Sequence, residues 1–92
     1  MIADLVVTVA IYRSGGGYLA VCPEFGVEAS GQSPGDAREE AIGALRRHLD
    51  RCAASGELET RLAEAGFVVE DGALRAERRL VGVEEGRISI PF

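Results

Sequence analysis

Alternation of apolar and polar positions dominates the first third of the chain. In residues 2–13, Leu5, Val7, Val9 and Ile11 share one face, while Val6, Thr8, Ala10 and Tyr12 share the other. A period of two in a β-branched run predicts a strand with one strongly apolar face and a second, mildly polar one. Ser14 and three glycines follow, and the next run, residues 18–22, again has strand character. A glycine-rich loop that cradles phosphate needs a helix directly after it; here a strand follows, so the glycines predict a hairpin turn. Pro23 lacks the N–H that a ladder requires and ends the second strand. Residues 27–31 predict a third, with Val27 and Ala29 on one side and Glu28 and Ser30 on the other.

The period then changes from two to 3.6. Ser33-Pro34-Gly35-Asp36 is a helix start: Ser33 as N-cap, Pro34 in the first turn, and an acid at the positive end of the dipole. The helix should run to about residues 52–54. Ala41, Leu45, Leu49 and Cys52 form its inward stripe, widened by Ala37, Ile42 and Ala53. Ser55-Gly56 stops it, and residues 57–65 predict a shorter helix with Leu58, Leu62 and Ala65 inward. Phe67-Val68-Val69 and the Asp71-Gly72 pair predict a hairpin. Residues 74–83 and 87–92 look extended, joined by Glu84-Glu85-Gly86, with Ile88, Ile90 and Phe92 alternating. The expected fold is α+β: a three-stranded antiparallel meander, one long and one short helix, then C-terminal strands. With 92 residues and no linker or repeat, one domain is expected, residues 67–92 being a strand-rich extension.

Composition narrows the function. Apolar residues are 47% and charged residues 27%, a globular balance. Fifteen acids against ten bases, all arginine, leave a net charge of −5. Such a chain gains little from phosphate backbones, so direct nucleic-acid binding is not expected, whereas a basic protein would be steered toward it. The arginine groups at Arg46, Arg47 and Arg51 and at Arg75, Arg78 and Arg79 are interleaved with acids, as on a solvated surface. No apolar run reaches the length of a membrane span, and no leader pattern follows Met1, so a cytoplasmic protein is expected.

Candidate chemistry is sparse. Cys22 and Cys52 lie far apart, and His48 is the single histidine, too few for a zinc site. His48 and Cys52 fall four apart on the predicted helix, a spacing that can make a thiolate, but Cys52 lies on the buried stripe. The acids sit on helix surfaces or in turns rather than converging from strand centres. Neither a catalytic residue nor a cofactor is expected.

The segment from Gly16 to Leu49 resembles the HicB antitoxin family. Gly17, Tyr18, Ala20, Pro23 and Glu24 match its second strand and proline–glutamate stop, and Gly31, Ser33, Glu40 and Ala41 match its helix start. The resemblance covers roughly half of the chain. It implies a partial ribonuclease-H-like fold without catalytic acids, homodimers or higher homo-oligomers, and a prokaryotic toxin–antitoxin system in which a small basic mRNA-cleaving toxin is sequestered. The turn after Pro23-Glu24 is shorter than the family's. The C-terminal DNA-binding domain of many members has no counterpart, and the chain after Gly66 has no match. The expected contacts to a basic partner are the acidic helix start, Asp36, Glu39 and Glu40, or the edge strand around Glu28. Val6 and Tyr12 on the first strand, with Ile88, Ile90 and Phe92 in the tail, are the expected self-association surface. The alternative is a structural homo-oligomer with no toxin.

Overall fold

The computed structural model describes residues 4–92. Three strands, β1 (Ala10–Ser14), β2 (Gly17–Cys22) and β3 (Val27–Gly31), form an antiparallel sheet in the order β1-β2-β3. Helix α1 (Pro34–Ala54) packs across one face, chiefly on β3 and β2. A short helix α2 (Leu58–Glu64) follows, then a separate antiparallel pair, β4 (Phe67–Glu70) and β5 (Ala73–Ala76). The α+β class and the element order agree with the sequence reading.

The first turn is tighter than Ser14–Gly17 as a whole. Ser14 pairs with Gly17, leaving Gly15 and Gly16 as a two-residue loop with φ of 55° and 84°. Two positive φ values in succession give a turn whose twist matches the flanking strands, and glycine takes them without a Cβ clash. Asp71 and Gly72 repeat the arrangement between β4 and β5, at φ of 51° and 76°.

The first strand is shorter than residues 2–13. Ile2 and Ala3 lie outside the described residues, and the ladder begins only at Ala10, opposite Val21. The cause lies in β2, which ends at Cys22 because Pro23 has no N–H to give. Residues 4–9 therefore have no ladder partner, and the Thr8 N–H donates instead to both carboxylate oxygens of Glu24, at 3.1 and 3.2 Å. Leu5, Val7 and Val9 still pack against the core, as the alternation predicts.

Helix α1 begins as expected: the Asp36 N–H donates to the Ser33 hydroxyl at 3.0 Å, with Pro34 in the first turn. Ala37, Ala41, Leu45 and Cys52 are buried, Leu49 and Ile42 are half-buried, and Ala53 is exposed, so the stripe is narrower than predicted on that side. The core joins Ala20 and Cys22 of β2, Phe25 of the following turn, Ala37, Ala41 and Leu45 of α1, Leu62 and Ala65 beside α2, and Phe67 of β4. Where helix meets sheet its side chains are small, so the two backbones lie close.

Beyond Ala76 the expectation of further strands fails. The Glu77 N–H donates to the Gly66 carbonyl at 2.8 Å, and no strand is formed from there to Phe92. Of the extended stretch expected over 74–83 only residues 74–76 pair, within β5; residues 77–83 and 87–92 carry strand-type patterning, but a strand also requires a neighbour, and the described chain supplies none beside the tail.

Candidate protein-binding surface

Strand pairing sorts the sheet's side chains onto two faces, because directly opposed residues point the same way. Ala20, Cys22, Val27 and Ala29 face α1. The opposite face carries Ala10 and Tyr12 of β1, Leu19 and Val21 of β2, and Glu28 and Ser30 of β3. No helix or strand of the described chain covers this outer face. Tyr12 is 56% exposed, and Val6, in step with it along residues 4–9, is 82% exposed. An apolar centre beside an acid is the composition expected of a contact surface for another protein.

The two alternative acidic contacts lie on different faces. Glu28 projects from the outer sheet face, whereas Asp36, Glu39 and Glu40 lie exposed at the start of α1, which covers the other face. Glu39 is also engaged, accepting from Arg38 at 2.8 Å. Of the self-association residues, Val6 and Tyr12 fall on the outer face, and Ile88, Ile90 and Phe92 lie along the exposed tail.

A groove of about 340 Å³ opens between residues 4–8 and the β5 side of the molecule, with Glu24, Phe67, Arg78 and Arg79 among its lining. Its charges are of both signs, and Glu24 is already committed to Thr8, so the groove offers no single-sign field to a small ion.

His48 and Cys52 do come together on α1, the thiol sulfur 3.8 Å from Nε2 of the imidazole. That nitrogen accepts from Arg61 Nε at 3.0 Å. A guanidinium can only donate, so the neutral ring carries its proton on Nδ1, and the lone pair that would take the thiol proton points at a cation instead. Arg61 further donates to the Phe25 carbonyl at 2.7 Å and lies over the Phe25 ring, 5.1 Å from its centroid. The arrangement ties α2 to α1 and to the turn after β2; it is a latch. Arg61 was legible in principle, since it shares a helix face with Leu58, Leu62 and Ala65, an inward stripe on which a charged residue needs partners. Replacing Arg61 with alanine is expected to cost about 1–3 kcal/mol by urea denaturation, with lysine recovering only part because it lacks the planar fork. A loss below about 0.5 kcal/mol would show that the latch contributes nothing.

Cys22 is fully buried and unpaired, and burial, with the negative charge of Glu24 second, pushes its thiol pKa up. A thiol so held is a poor nucleophile. Among the described residues, no three of histidine, cysteine, aspartate and glutamate gather where they could hold a metal ion, and no helix is long and apolar enough to cross a membrane.

The chain matches no protein-family model, no curated protein and no solved structure.

Proposed function

We propose that the chain is a non-catalytic protein-binding module of the HicB-like antitoxin kind, which sequesters a small basic protein, an mRNA-cleaving toxin in the family it resembles. The observation that carries this reading is the outer face of the sheet, where exposed Tyr12 and Glu28 flank the half-buried Leu19 and Val21. The order of three strands and a capped helix, with the Pro23-Glu24 stop between the second and third strands, supports it. So does the net charge of −5, which favours encounter with a basic partner and disfavours nucleic acid. The acids split into two groups, so Glu28 is the one placed to contact what sits on the outer face, and Asp36, Glu39 and Glu40 steer from the rim.

The test is titration calorimetry with the purified product of a small basic reading frame adjacent to the gene. Binding at micromolar or tighter affinity is expected. Raising salt from about 0.05 to 0.5 M should weaken it, because rim charges are screened over a Debye length. Glu28→Arg together with Tyr12→Ala should abolish binding, while Asp36→Asn with Glu40→Gln should mainly slow association. Absence of binding at about 100 µM would overturn the reading. A structural homo-oligomer is the second reading, and the exposed apolar tail is the observation that favours it.

A further inference from the structure

Residues 77–92 contain no helix or strand, yet Val81, Val83, Ile88 and Phe92 are each more than 80% exposed, with Ile90 at 65%. Apolar side chains at that density are not left in water without consequence. The accessible surface is 7202 Å², against about 5,100 Å² for a compact chain of 9.7 kDa. The Cα radius of gyration is 15.7 Å, against about 12 Å for a compact domain of this length, and the long axis is 50 Å beside 29 and 22 Å. The excess of about 2,000 Å² falls in the range of roughly 1,000–2,500 Å² that each subunit of an obligate dimer buries.

The body has a matching deficiency. β1 is an edge strand, and its free edge continues into the unpaired residues 4–9. Ile11 lies opposite Ala20, on the face that α1 covers, yet it is 41% exposed. Among the described residues, no strand flanks β1 on that side to finish the layer beneath the helix.

We propose that the tail of a second copy completes this layer: residues 87–92 of one chain add as a strand along the free edge of β1 in its partner, and the exchange is reciprocal. Ile88, Ile90 and Phe92 share one face of such a strand and cover Ile11 and its neighbours on the α1 side. Their N–H groups share one edge, which meets the backbone of β1. The missing N–H of Pro91 then falls on the opposite, outward edge, where a proline costs no ladder bond and discourages a further strand. A reciprocal exchange buries both tails and closes at two chains. Residues 81–92 are exposed throughout and form no strand on their own body, which leaves the edge to a second copy. This inference stands apart from the toxin reading, because it concerns the purified chain alone.

Light scattering on the full chain at about 5–200 µM should give twice the 9.7 kDa of one chain. The pair Ile88→Asp and Ile90→Asp should halve that mass and leave the far-ultraviolet circular dichroism of the body in place. As a readout that does not depend on the double variant folding, one chain carrying Ile11→Cys and another carrying Ile90→Cys are mixed and oxidised. A disulfide-linked product of twice the mass is expected from the mixture, well in excess of that from either variant alone. A single-chain mass throughout the concentration range would overturn the proposal. So would a dimer that survives both aspartates, which would place the interface on the outer sheet face, or a cross-link that forms only within one chain when both cysteines are on it.

Discussion

Replacing Gly31 with alanine is expected to destabilise the protein by about 3 kcal/mol or more, at the upper end of what overpacking costs. Gly31 ends β3, and a Cβ there would lie 2.4 Å from the amide nitrogen of Ala37 and 2.8 Å from both the Cα of Ala37 and the carbonyl carbon of Asp36. All three are backbone atoms of the first turns of α1, so no side chain can swing aside. Nor can the helix start drift, because Ser33, two residues on, is held as its N-cap. Relief would come from lifting α1 off the sheet, which would separate Ala37 and Ala41 from Ala20 and Cys22. For a domain with about 5–14 kcal/mol of total stability, the expected fall in Tm exceeds about 10 °C. Gly43→Ala is the internal control. Its Cβ would meet only the guanidinium of Arg47 at 3.4 Å, a flexible group. Removing a mid-helix glycine should therefore be neutral or stabilise by up to about 1 kcal/mol. Urea denaturation measures both; a Gly31 variant within about 1 kcal/mol of the parent would mean that α1 does not sit this close to β3.

The second large effect is expected at Phe67. It is 5% exposed and stacks on Phe25 with ring centroids 5.9 Å apart and planes at 11°. Phe25 is in turn gripped by Arg61 through its carbonyl and its ring. Phe67→Ala should cost about 3–5 kcal/mol, the usual range for deleting a buried phenyl group. The loss should also be unequal across the molecule. β4 and β5 form a sheet of only two strands, and such a hairpin is marginal in water unless it is anchored. Phe67 and, less deeply, Leu74 are the β4–β5 side chains that join the core and its surround. Hydrogen exchange should therefore show the β4–β5 amides losing protection before those of β2. Equal loss everywhere would show that the hairpin and the α1-covered sheet unfold as one unit. Phe67 also lines the groove beside residues 4–8, so a loosened hairpin would alter the root of the tail as well.

Local patterning determined most of the elements. The Ser33-Pro34 start, the two glycine-containing turns and the helical stripe from Ala37 to Cys52 each rest on forces acting within a few residues and stand where they were expected, and the alternation in residues 5–12 keeps its two faces although the strand forms only from Ala10. Three matters depended on distant parts of the chain. The length of β1 was decided by β2, whose ladder stops at Pro23, and by Glu24, which takes the Thr8 N–H sixteen residues away in sequence. The role of His48 was decided by Arg61 on another helix, which turned a Cys–His spacing into a latch. The two alternative acidic contacts were set on different faces, because pairing with Val21 directs Glu28 away from α1. The tail shows the limit of pattern most clearly: Ile88, Ile90 and Phe92 alternate as a strand should, but alternation specifies only which side chains share a face. Whether a strand forms depends on a neighbouring edge to bond with, and that is a property of the tertiary and, on our proposal, the quaternary structure.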